Sequence, residues 1–244
     1  MRKGIYVLPN TLTLCGMLFG FYSVLSSLKG NYVHASWGII FAAIFDGLDG
    51  WVARLTHSTT KFGIELDSLS DLVAFGVAPS VMLYKWSLQS YGRIGWAAAF
   101  MFLACGALRL ARYNVQMGSA ESKSFTGMPI PGAAIITSAL VIFFYEIGEY
   151  LPGKNIYILF ITFILAVLMV STLRFRSFKS IDMGARRGYQ VLIGVAGFLA
   201  LIVAKPHEVL ILMAYTYLGS AFVGLAMSRL RRKEPTESVG AADS

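Results

Sequence analysis

Predominantly apolar runs of about 18 or more residues recur through most of this chain, each long enough to cross ~30 Å of hydrocarbon as a helix. A backbone inside lipid must satisfy its own hydrogen bonds, which restricts such runs to helices. The expected fold is therefore all-α, a polytopic transmembrane helix bundle of about eight spans. The spans are expected at Asn10–Leu28, Val33–Leu55, Gly63–Trp86, Ile94–Asn114, Ala133–Tyr150, Asn155–Leu173, Gly188–Ala204 and Glu208–Ser228. The first run is basic and then apolar, but it is too long for a signal-peptide core and is followed by no small-residue cleavage site, so it reads as a span. Residues 1–232 read as one membrane domain with a hairpin at 33–86, and 233–244 as a disordered polar tail.

Charge gives the orientation. With both termini cytoplasmic, the inner side receives sixteen of the twenty-one basic residues, among them Arg54, Lys61, Arg109, Arg112, Arg174, Arg176, Lys179, Arg186 and Arg187. Lys29, Lys85, Arg93, Lys154 and Lys205 stay outside. That bias follows the positive-inside rule, and a seven-span arrangement loses it. The net charge of +8 is thus assigned to an anionic leaflet, with no need of a nucleic acid. Cys15 and Cys105 each lie within an apolar run, which does not indicate a disulfide framework.

Against this background the stretch from Asp46 to Asp71 stands out. Four of the thirteen acidic residues, Asp46, Asp49, Asp67 and Asp71, fall within its 26 positions. Carboxylates are costly near hydrocarbon unless paired, solvated or bound to cations, which marks a functional site. Asp46 and Asp49 are spaced i, i+3, and Asp67 and Asp71 i, i+4, so on helices each pair shares a face. Asp46 lies about 12 Å along its helix from Arg54, and Asp71 a similar distance from Gly63. The pairs therefore meet at similar depth, near the cytoplasmic surface. Oxygen donors without neighbouring His or Cys suit Mg²⁺, Mn²⁺ or Ca²⁺ rather than zinc. Two such ions would clamp a phosphoryl displacement. Arg54 can hold a phosphate bidentately, and Gly50 and Gly63 leave room for a ligand to lie close. The competing reading is a structural or cation-transport site. Transporters commonly repeat such elements in two halves, whereas here all four carboxylates sit in one hairpin.

The skeleton Asp46-x-x-Asp49-Gly50-x-x-Ala53-Arg54, eight residues, Gly63-x-x-x-Asp67-x-x-x-Asp71 strongly resembles the signature of the CDP-alcohol phosphatidyltransferase family. The resemblance implies a membrane enzyme, dependent on two divalent cations, that displaces CMP from a CDP-linked lipid with an alcohol. By position it implies Asp46, Asp49, Asp67 and Asp71 as metal ligands, and Asp71 also as the general base. Gly50, Arg54 and Gly63 correspond to contacts with the CDP moiety. It implies a homodimer as well. The segments 8–13, 67–79, 107–114 and 125–132 are similar to the phosphatidylserine synthase branch, which implies CDP-diacylglycerol and L-serine as substrates. None of His34, His57 or His207 begins a His-x-Lys-x4-Asp pattern, so the resemblance implies direct attack rather than a phospho-histidine route. Arg109, Arg112 and Asn114 stand level with the carboxylates, where they hold the serine carboxylate or lipid phosphate, or serve as anchors and caps. Serine against inositol or glycerol phosphate, and an ester against an archaeal ether lipid donor, stay open. Asn10 reads as a helix cap, Glu65 as a bystander, and Gly16-x-x-x-Gly20 as a close crossing within one subunit.

Overall fold

A computed structural model of the chain describes residues 7–56, 58–117, 127–146, 148 and 154–171. Every regular element among the described residues is helical. They are α1 (Val7–Leu28), α2 (Tyr32–Leu55), α3 (Lys61–Asp71), α4 (Ala78–Trp86), α5 (Arg93–Met117), α6 (Ile130–Glu146) and α7 (Ile156–Val170). α3 runs into α4 without a break through a six-residue π-helical segment, Leu72–Val77. Three helical stretches, Val7–Leu28, Lys61–Trp86 and Arg93–Gln116, are long and apolar enough to cross a membrane. α6 and α7 have 17 and 15 residues, and the expected span ends at Tyr150 and Leu173 lie outside the described residues. The two remaining expected spans, the basic loop 174–187 and the tail lie outside the described residues.

The distribution of side chains on α1 shows what solvent this fold suits. Its buried face carries Thr13, Gly16, Gly20, Ser23 and Ser27, while Leu14, Leu18, Phe21 and Leu25 point outward, 41–63% exposed. Small residues inside and large apolar residues outside invert the pattern of a water-soluble helix, and they let helix backbones approach closely in lipid. A Cβ on Gly20 would lie 2.6 Å from the Cα of Ala74, so α1 crosses the π segment almost backbone to backbone. A Cβ on Gly38 would lie 3.0 Å from the Phe19 carbonyl oxygen, where α2 crosses α1. The Gly16–Gly20 spacing thus serves packing within one chain, as its sequence pattern led us to expect.

Polar residues fix the helix ends. Thr60 caps α3, its hydroxyl accepting from the Gly63 N–H at 3.0 Å, and the Asn155 carboxamide caps α7 through the Tyr157 N–H at 3.0 Å. Asn10 is not the cap expected of it. α1 already begins by Val7, because Pro9 needs no hydrogen bond in a first turn, and Asn10 lies within the helix.

Tertiary packing places the π segment at the centre. α1, α2, α5 and α6 all pack against it, and Phe75, in its middle, is fully buried. α5 also packs on α7, and α6 on α2. At the junction of these layers Gly127 takes φ +87°, a left-handed conformation, and a Cβ there would run into the Met169 carbonyl. The next residue, Met128, donates its N–H to the Leu168 carbonyl at 3.1 Å. The Gly-Met-Pro segment before α6 is therefore seated on the C-terminal turn of α7.

The close crossing predicts a stability difference between two glycines. Gly20→Ala is expected to destabilise the purified protein by about 1–3 kcal/mol through overpacking, read as a lower Tm in detergent. Gly47, where a Cβ would meet nothing within 4 Å, is expected to tolerate alanine with an unchanged or slightly raised Tm.

Candidate active site

The site is built between the last turns of α2 and the last turns of α3. Asp46 and Asp49 lie in the last turns of α2, and Asp67 and Asp71 in the last turns of α3. α1 packs against both helices and serves as their common backing. One hydrogen bond joins α3 to that backing, from the buried Ser70 hydroxyl to the Thr13 carbonyl at 3.0 Å.

Carboxylate oxygens from Asp46, Asp49 and Asp67 lie within 4.8 Å of one another. Asp49 is 5% exposed, and Asp46 and Asp67 are half-buried. Asp71 belongs one turn further along α3 and lies in electrostatic reach of all three, as well as of the Arg109 guanidinium from α5. The four acidic residues thus converge as their spacing predicts, but as a compact triad with a fourth carboxylate beside it. At an effective dielectric of about 20, two unit charges less than 5 Å apart repel by about 3 kcal/mol or more. A triad of this kind calls for positive charge. Oxygen atoms on opposite sides of an octahedral Mg²⁺ ion are about 4.2 Å apart, and those around Ca²⁺ up to about 5 Å. An all-oxygen set spread over 4.8 Å therefore lies within the reach of one Ca²⁺ ion and has to draw together slightly to close on Mg²⁺, with Asp71 placed to extend the site.

The remaining residues read as site contacts distribute themselves around this cluster. Arg54 is exposed and lies over Gly50, where a Cβ would stand 3.4 Å from its Nη1. The guanidinium is therefore free to pass across the glycine face of α2. Gly63 is enclosed. A Cβ there would lie 3.1 Å from the Thr60 hydroxyl and 3.3 Å from the Asn10 carboxamide oxygen, so Asn10 joins the site from α1. Arg112 is exposed and donates from Nη1 to the Val170 carbonyl at 3.1 Å, which places a cation on the C-terminal end of α7. Asn114 donates from Nδ2 to the Ser68 hydroxyl at 2.9 Å. Of the three polar residues at the end of α5, then, Arg109 is the one whose charge reaches Asp71. Glu65 is exposed and outside the triad, as its spacing predicts. Ser68 has no mark in the sequence beyond its place between two aspartates, and Asn10 none beyond following a proline.

Comparison with known proteins places this arrangement. Residues 6–172 match the CDP-alcohol phosphatidyltransferase family profile, a range that contains the whole aspartate cluster. The chain is 40% identical over 216 residues to a protein of Helicobacter pylori (strain ATCC 700392 / 26695) named CDP-diacylglycerol–serine O-phosphatidyltransferase, covering 88% of this chain and 89% of that one. It is 30% identical over 223 residues to the Mycobacterium tuberculosis (strain H37Rv) protein of the same name, covering 88% and 78%. An archaetidylserine synthase from Methanothermobacter thermautotrophicus is 37% identical over 170 residues, covering 69% of each chain. With its aspartates gathered as the signature requires and similarity extending over most of its length, the chain belongs to the CDP-alcohol phosphatidyltransferase family.

Proposed function

We propose that this protein transfers the phosphatidyl group of CDP-diacylglycerol to the hydroxyl of L-serine, releasing phosphatidylserine and CMP. The observation that carries the reading is the convergence of Asp46, Asp49 and Asp67 within 4.8 Å beside Asp71, in a chain 40% identical to a relative named for this reaction. Asp46, Asp49, Asp67 and Asp71 would hold two divalent cations, Mg²⁺ or Mn²⁺, and the same donors also accept Ca²⁺. When bound, the ions supply Lewis-acid polarisation of the phosphoryl oxygens and offset the charge of the departing CMP.

The chain's own residues bind, orient and move the proton. Gly50 lets the CDP moiety lie against α2, Gly63 brings the Thr60 and Asn10 side chains over the start of α3 to meet it, and Arg54 holds a phosphate from the exposed side. Arg109, next to Asp71, orients the serine carboxylate or the lipid phosphate. Asp71 takes the proton of the serine hydroxyl as its oxygen bonds to the β-phosphorus of the CDP-lipid. The bond from that phosphorus to the bridging oxygen breaks, and CMP departs with the electron pair. A hydroxyl is a poor nucleophile at neutral pH, so a positioned base is needed. In the same reading the bundle has about eight spans with both termini cytoplasmic, the site faces the cytoplasm, and the protein is a homodimer. Light scattering of the detergent-solubilised protein checks the last point.

The similarity to an archaetidylserine synthase favours one second reading, in which the donor is a CDP-linked ether lipid. Purified protein supplied with serine, Mn²⁺ and each CDP-lipid in turn is expected to release CMP with at least one of them. Release with another alcohol but not with serine would overturn the acceptor assignment. A chelator is expected to abolish turnover and added Mn²⁺ to restore it; turnover that survives the chelator would remove the cations from the chemistry. Asp71→Asn is expected to lower kcat by about 10²–10⁴-fold with Tm preserved, and an active variant would remove Asp71 as the base.

A further inference from the structure

We propose that Ser68 and Asn114 form a positioning pair that sets the rotation of α3 about its axis and thereby the placement of Asp67 and Asp71. The inference rests on the reading of those two aspartates as cation ligands.

The burial pattern of α3 is the starting point. Ser70 is its one fully buried residue, whereas Lys61, Phe62, Ile64, Glu65 and Leu69 are exposed. An ordinary core helix is held in azimuth by an apolar stripe packed into its neighbours. α3 has almost none of its own, so its rotation depends on its continuation into the buried π segment and on contacts made at its acidic end. Two polar tethers to different helices supply those contacts: Ser70 to the Thr13 carbonyl of α1 and Ser68 to Asn114 of α5.

The second tether has a definite direction. The Asn114 amide donates to the Ser68 oxygen at 2.9 Å. The Ser68 hydroxyl has a single proton, with the Ile64 carbonyl at 3.1 Å and the Asn114 Oδ1 at 3.2 Å. Donating to the carbonyl lets it accept from the amide at the same time, forming a chain from α5 through Ser68 into the α3 backbone. The α5 end of this chain is itself secured, since Arg112, two residues earlier, is bound to the Val170 carbonyl of α7. Ser68 directly follows Asp67, about 100° around the helix. A carboxylate about 6 Å from the axis moves about 1 Å for each 10° of rotation. Ligand geometry has to be held within about 0.5 Å and 10–20°, so loss of the tether disturbs cation binding even though neither residue has to touch the ion. Outer partners of metal ligands typically govern affinity or activity by about 10- to 100-fold.

Mn²⁺ titration of detergent-solubilised protein, followed by EPR without substrates, tests the pair directly. Ser68→Ala and Asn114→Ala are each expected to weaken Mn²⁺ binding by about 10-fold and to lower kcat by about 10- to 100-fold, with KM for the CDP-lipid within about two-fold of wild type. The double variant is expected to be no worse than either single one, and Ser68→Thr, which keeps the hydroxyl, to recover most of the loss. Unchanged Mn²⁺ affinity in both single variants, or additive losses in the double one, would overturn the proposal. So would a rise in serine KM confined to Asn114→Ala, which would make Asn114 an acceptor contact. If Asn114→Ala does not fold, the contrast between Ser68→Ala and Ser68→Thr decides. Because the titration contains no substrate, failure of the transferase reaction in wild-type protein is read separately from failure of the pair.

Discussion

Like charge brought together within an apolar helix bundle is the constraint from which the rest of this structure follows. Three carboxylates with oxygens within 4.8 Å repel pairwise by about 3 kcal/mol or more, in sum comparable with the whole net stability of an ordinary domain. Such a cluster persists only where cations answer it and where the helices that carry it cannot splay. The helices are held by close backbone approach, together with the Phe19 ring of α1 packed on Phe41 and Phe45 of α2. Gly20 meets Ala74, and Gly38 meets Phe19, so α1 acts as a plate on which both acidic helices are mounted. Gly63 belongs to the same logic: with no side chain, it lets Thr60 and Asn10 close over the start of α3.

Much of this was legible in the sequence because it depends on spacing along one helix. The i, i+3 and i, i+4 aspartates, the helical hairpin and the small-residue face of α1 all follow from local period. What was not legible depends on which distant residues meet. Arg112 looks like a ligand contact in the sequence and also bonds a helix end at Val170, and Asn114 meets Ser68 across 46 positions. The split of the four carboxylates into a triad and a neighbour is a matter of depth and rotation that no one-dimensional pattern records. Asn10 moved from cap to helix interior because Pro9 lets the helix start earlier.

Family membership and site geometry bear on different questions. Similarity over most of the chain identifies the lineage, while the donor set explains why that lineage uses hard cations. The residues differ in what they can discriminate. In the proposed reading the cluster would answer the phosphates, which every CDP-linked donor shares, and so would not select an acceptor. Arg109, whose charge reaches Asp71, is the cation from α5 that stands in electrostatic contact with the acidic cluster.

The π-helical segment Leu72–Val77 has a consequence of its own. Its wider turn holds one residue more than an α-helical turn would, and one residue is worth about 100° of phase. The acid-bearing half of this long rod and its core-filling half, Ala78–Trp86, are thereby locked in a phase that an unbroken α-helix of the same length would not give. The stretch should accept many changes of side chain but not a change of length. Removing a single residue there would swing Met82, Leu83 and Trp86 out of the interior or rotate Asp67 and Asp71 out of the acidic cluster, so natural variation in this lineage is expected to conserve the count of residues more strictly than their identity.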